Sequence, residues 1–176
     1  VMAILQIEPG NADVADSLEI VHRQFGRHPC VIGFGIDAEW YRHKESGGTG
    51  KVIGDLDARL WVGKIRSFDP TYTLFLKHWD VRHMPPSYRS SNLWFLSDSQ
   101  GFRGLPDMIS DFRLWSDYVA RAGTGFQFGY PRDDRWWKKL DDPPADIGKE
   151  ILRAIPSCRF LFWVDSTVAD LAPMRR

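Results

Sequence analysis

The 176-residue chain is the size of one domain and can bury a substantial core. Lysine plus arginine and aspartate plus glutamate balance at 23 each, and the net charge of zero leaves no electrostatic footprint for nucleic acid or an anionic membrane. No apolar run is long enough to span a bilayer, and the N-terminus lacks a basic-then-apolar secretory pattern; the default expectation is therefore cytoplasmic, or secreted if a segment precedes Val1.

Residues 3–8 (AILQIE) form a short apolar run that Pro9 and Gly10 break. Asn11 is a suitable N-cap for a helix over residues 12–25, with Val14, Leu18, Val21 and Phe25 at helical spacing and Gly26 as its stop. Val31–Asp37 is a second strand whose continuous apolar character predicts burial on both faces, as in a parallel sheet. Residues 42–50 are polar and glycine-rich, a loop. Asp55–Phe68 is a helix with Leu56, Leu60, Trp61, Ile65 and Phe68 expected on one side, and residues 72–77 (YTLFLK) form a third strand.

Residues 81–91 contain Pro85 and Pro86 and lack periodicity, and a long irregular loop in a compact domain is usually functional or disordered. A fourth strand is expected at 93–96, a helix at 105–120 and a fifth strand at 125–128. Two short helical pieces follow at 133–140 and 145–155, then a sixth strand at 159–164. Arg132, Arg135, Lys138 and Lys139 interleave with Asp133 and Asp134, which reads as a solvated face. Cys30 and Cys158 have no metal-ligand spacing and are expected to be buried free thiols.

The order β-α-β-α-β-loop-β-α-β-α-β calls for a parallel sheet with right-handed crossovers. Glu8, Asp37, Glu39, Lys77, His78, Asp98, Gln100, Gln127, Tyr130, Trp163 and Asp165 all lie at or just beyond strand C-termini, where α/β proteins place their chemistry. The fold class expected is α/β, a single partial barrel of TIM type with six strands instead of eight. Such a sheet leaves two open edges, so either the barrel is a fragment, or the edges pair across a homodimer, or the sheet is open and doubly wound.

The segment Gly35-Ile36-Asp37-Ala38-Glu39-Trp40 resembles the end of the fourth-strand signature of family 18 glycoside hydrolases, the chitinase-like barrels, which closes in Asp-x-Glu before an aromatic. Trp163, near the end of the last strand, is similar to the tryptophan that floors the sugar site there. Phe34 and Gly35 stand where the signature's earlier aspartates fall, so the substrate-assisted mechanism of that family does not carry over directly. The resemblance implies a carbohydrate substrate; with no Walker phosphate loop and no GxGxxG in the sequence, no cofactor is expected.

On a strand, Asp-x-Glu points both side chains to one face, and glycoside hydrolysis uses a pair of carboxylates. Glu39 is the expected general acid with Asp37 as its helper, and Glu8, Asp98 and Asp165 are candidate partners. Asp98 is the most exposed by its company. Trp40, Tyr41, Trp79 and Trp163 are candidate stacking platforms, and Lys77, His78, Gln100, Gln127 and Tyr130 candidate contacts for sugar hydroxyls. Core packing competes for Trp136 or Trp137. A metal set of His78, His83, Asp98 and Glu39 has no ligand motif behind it, so none is expected. The function expected is a glycoside hydrolase acting on a cellulose-, xylan- or chitin-like glycan, the alternative being a catalytically silent carbohydrate-binding barrel.

Overall fold

The computed structural model describes residues 2–42, 50–120 and 122–174. The chain forms β1 (Ala3–Ile7), α1 (Val14–Phe25), β2 (Val31–Asp37), α2 (Asp55–Phe68), β3 (Thr73–Lys77) and β4 (Leu93–Ser97). It continues with α3 (Leu105–Tyr118), β5 (Gly123–Phe128), α4 (Asp134–Trp137), α5 (Pro143–Ala154) and β6 (Cys158–Trp163). β1 with β2, β2 with β3 and β5 with β6 pair in parallel, and the strand order is β1-β2-β3-β4-β5-β6. A doubly wound sheet reverses its order at a switch point, whereas this one never does. The fold is therefore α/β with the strand order of a partial (β/α) barrel. The chain resolves into two compact units, Val1–Phe95 and Leu96–Arg176.

In the first unit, period-two alternation sorts the strands into two faces. Phe34, Ile36, Leu74 and Leu76 are fully buried. Phe34 packs against His22 of α1 and Phe68 of α2, which marks this as the helix-covered side. The opposite face carries Gly33, Gly35 and Asp37 on β2, and Thr73, Phe75 and Lys77 on β3, in register as Gly33–Thr73, Gly35–Phe75 and Asp37–Lys77. Gly35 is a glycine because the Phe75 ring lies over it: an added Cβ would sit 2.0 Å from Phe75 Cζ.

Three local expectations are corrected in this unit. Asp13, not Asn11, caps α1 by accepting the Asp16 N–H at 3.0 Å, so the helix starts at Val14. Leu56 and Leu60 face solvent, while Ala58, Trp61, Val62 and Ile65 are the buried face of α2; the apolar residues of this helix exceed one stripe. Cys30 is exposed, because it sits in the turn before β2, not in the strand. Residues 43–49 of the predicted glycine-rich loop lie outside the described residues. The irregular segment after β3 is tied to α2: the Asp55 carboxylate accepts the Ser87 and Tyr88 N–H groups and the Ser87 hydroxyl.

In the second unit Phe126 stacks on Phe112 of α3 at 4.3 Å, and Leu161 meets Gly148 of α5, so those side chains mark the helix side. Gly125 and Gln127 lie on the other side, in register with Phe160 and Phe162. The Gly125–Phe160 pair repeats the Gly35–Phe75 arrangement, with an added Cβ 1.9 Å from the Phe160 ring. Asp133 is not part of a solvated face. It is buried, accepts the N–H groups of Phe102 at 2.7 Å and Gly101 at 3.1 Å, and takes the Trp136 Nε1–H at 3.4 Å. Burial pushes its carboxyl above the ordinary carboxylate range, against those three donors. Trp137 is fully buried as core, and its Nε1–H donates to the Tyr130 carbonyl.

Candidate functional site

The polar cluster with the most developed geometry lies at the C-terminal ends of β1, β2 and β3. Lys77 Nζ stands 2.8 Å from Asp37 Oδ2, with only 11 % and 5 % of the two side chains exposed. The same carboxylate oxygen accepts from the Gln6 side-chain amide at 3.4 Å, and Oδ1 accepts the Glu39 N–H at 3.2 Å. Each of these contacts is a donor meeting a carboxylate oxygen. Gln6 was missed by sequence reasoning. Its position two residues before the polar strand end, on the face that carries Asp37 and Lys77, was the available signal.

Glu39 is placed differently from expectation. β2 ends at Asp37, and Ala38–Trp40 is a 3₁₀ turn capped by the Asp37 side chain. Strand alternation therefore stops before Glu39, and the premise that put both carboxylates on one strand face fails. Glu39 is half-buried. Trp40, which follows it, keeps 47 % of its surface exposed, and Trp79, beyond β3, keeps 43 %. Tyr41 is buried edge-on against Trp61 at 5.1 Å. Glu8 is exposed just past β1.

His78 is fully buried, and its Nδ1 accepts the Asp80 N–H at 2.7 Å. A backbone N–H can only donate, so Nδ1 is unprotonated here and the ring proton belongs on Nε2. The ring stacks on His83 at 4.1 Å and 5°. Asp80 binds the Arg82 guanidinium and caps the turn at Val81–His83. The guanidinium holds its carboxyl down at about 2. Among the described residues no three metal-ligating side chains are grouped to hold an ion.

The second unit holds the other predicted residues. Asp98 is buried at the end of β4, not exposed, because it follows the buried Ser97 instead of opening a surface turn. Gln100 is exposed, and Gln127 and Tyr130 are half-buried. Asp165 is exposed and opens the 3₁₀ segment Asp165–Met174. Trp163 lies on the helix side, edge-on to Trp137 at 5.1 Å and to Phe128 at 5.5 Å. Its Nε1–H donates to Thr167 Oγ1, whose own hydroxyl donates to the Gly129 carbonyl. Within this unit Trp163 and Gln127 thus sit on opposite sides of the sheet. A groove of about 640 Å³ runs between α3 and α5, lined by Ile109, Arg113, Glu150 and Arg153 among others.

Comparison with known proteins returns nothing: no family model, no curated protein and no solved structure matches the chain.

Proposed function

We propose that the strand-end cluster of the first unit is the acid/base centre of a glycoside hydrolase. Glu39 is the proton donor and Asp37 its helper. Half-buried Glu39 has the partial desolvation that suits a carboxylic acid to proton donation. The observation that carries this reading is the set of three donors converging on Asp37, from Lys77, Gln6 and the Glu39 N–H, which fixes this carboxylate at the strand end two residues before Glu39. Two half-exposed indoles, Trp40 and Trp79, follow the adjacent strands β2 and β3 and supply flat faces for sugar rings. The substrate class is a cellulose-, xylan- or chitin-like glycan.

The ion pair also supports a second reading. With Asp37 neutralised by Lys77, the cluster becomes a rigid polar floor, and the domain binds carbohydrate without turnover. Hydrolysis of cello-, xylo- and chito-oligosaccharides by wild type and Glu39→Gln separates the two. A loss of about 10²–10⁴-fold in the variant supports the acid role. Turnover unchanged by the substitution removes Glu39, and binding without turnover selects the silent domain. A homodimer belongs to the same proposal, since β1 and β6 each have a single strand neighbour. Sedimentation showing only monomer refutes it.

A further inference from the structure

We infer that the glycan is an acidic one, and that Arg42 and Lys51 together bind the carboxylate of a uronic acid unit beside Trp40. The inference rests on the carbohydrate reading of the first unit and names its substrate class.

It begins with a backbone outlier. Arg42 lies at φ 49°, the one non-glycine residue at positive φ among the described residues. A bulky side chain is disfavoured in that region, where glycine or asparagine sits at lower cost. The conformation is imposed from both sides. The Arg42 N–H donates to the Gly10 carbonyl at 2.7 Å, and the Lys51 N–H donates to the Tyr41 carbonyl at 2.7 Å. Strain that surrounding contacts hold in place, at the rim where β1 and β2 end, points to a use for the residue. The backbone alone favours glycine or asparagine, so the reason for an arginine lies in its side chain. Its guanidinium stands over the Tyr41 ring, 5.5 Å from the centre, and stays exposed. An exposed cation–π contact is weak; its effect here is to fix where the guanidinium stands, since Tyr41 itself is buried.

Lys51 is brought alongside by Gly50. This glycine has φ 75°, and an added Cβ would lie 2.2 Å from the Ala38 carbonyl oxygen and 2.8 Å from that of Glu39. Only glycine lets the chain return against the turn that carries Glu39 and Trp40. Lys51 is exposed and Trp40 is half-exposed, so two cations and an indole are carried by hydrogen-bonded neighbouring segments of one rim. Among the described residues no carboxylate forms a salt bridge with Arg42 or Lys51, in contrast to Arg82, which Asp80 holds. Asp13 and Asp57, whose charges reach Tyr41, are engaged as helix caps on the Asp16 and Gly54 N–H groups. A planar guanidinium meets a carboxylate through two parallel N–H···O bonds, and an ammonium adds a point charge. A uronic acid unit carries both complements on one ring, a face for the indole and a carboxylate for the cations.

The test is calorimetric titration of the full chain with xylotetraose and with the same oligosaccharide bearing one glucuronic acid branch. Reading binding, not turnover, makes the result independent of which residue is the acid. The acidic oligosaccharide is expected to bind about tenfold more tightly at low salt, and most of that preference should vanish in about 1 M salt. Arg42→Asn suits the left-handed backbone, so it is expected to keep or raise the thermal midpoint while cutting the preference to about twofold or less. Lys51→Gln is expected to cut it by a smaller factor. Equal binding of the two oligosaccharides by wild type overturns the inference and leaves a neutral-glycan hydrolase standing. A preference that survives in folded Arg42→Asn/Lys51→Gln overturns the assignment to these two residues. Binding of neither oligosaccharide overturns the carbohydrate reading and this inference with it.

Discussion

The Gly35–Phe75 contact allows a sharp test of how the site face is built. In Gly35→Ala the new Cβ would lie 2.0 Å from Phe75 Cζ and 2.4 Å from Cε2, far inside van der Waals contact. Phe75 is buried, so its ring cannot swing into solvent to make room. Overpacking of this kind costs about 1–3 kcal/mol. The lower entropy of an alanine-containing unfolded chain returns about 0.4–1 kcal/mol. The expected net loss is about 1–2 kcal/mol, measured as a lower urea midpoint at constant m by far-ultraviolet circular dichroism. Phe75→Leu removes the obstructing atoms, so the double variant should be less destabilised than the sum of the singles by about 1 kcal/mol or more. The matching Gly125→Ala change should cost less, because Phe160 is only half-buried and can move away. A Gly35→Ala loss below about 0.5 kcal/mol, or strict additivity with Phe75→Leu, refutes the account of this face.

Three further outcomes are expected. Asp133→Ala leaves the buried Phe102 and Gly101 N–H groups without their acceptor and should cost about 2–4 kcal/mol in chemical denaturation, whereas Asp133→Asn, which keeps an oxygen there, should cost about 1. Lys77→Met strands the Asp37 charge and should cost about 3–5 kcal/mol, most of it recovered in Lys77→Met/Asp37→Leu; a double variant as unstable as the single would count against the ion-pair account. Asp80, whose carboxyl the Arg82 guanidinium holds down at about 2, contributes stability that is present above its unfolded value near 4 and disappears as pH falls through 2. Arg82 is largely exposed, so the contribution is about 1 kcal/mol, and Asp80→Asn should flatten the acid limb of a Tm-against-pH curve between pH 4 and 2.

The strand-and-helix rhythm was legible because its signals are local. Val31–Asp37 and Asp55–Phe68 form as the spacing of apolar residues and their flanking breakers dictate. What periodicity could not decide was which of several apolar residues on a helix is covered, because that depends on neighbours distant in sequence. Leu56 and Leu60 satisfy helical spacing as well as Trp61 and Ile65 do, yet only the latter two are buried. Asp133 was misjudged for a related reason: charged neighbours at 132, 134 and 135 signal solvent, while the N–H groups that draw it inward belong to residues 101 and 102.

The candidate site fared differently: the sequence offered Asp37 and Lys77 but not their relation, and it did not offer Gln6. Asp37 and Lys77 were each picked out as strand-end polar groups, and only the β2–β3 register, which places them opposite one another, makes them a pair. The Asp-x-Glu spacing carries two incompatible geometries. On an extended strand it aligns both side chains on one face; after a strand end it lets the aspartate turn back and cap the next residues. Asp37 adopts the second, accepting the N–H of the very glutamate whose acid role it was expected to assist. Its pairing partner across the sheet is a cation, not a carboxylate. Removing the lysine alone therefore leaves a buried carboxylate without its cation, and this is why Lys77→Met against Lys77→Met/Asp37→Leu tests the pairing.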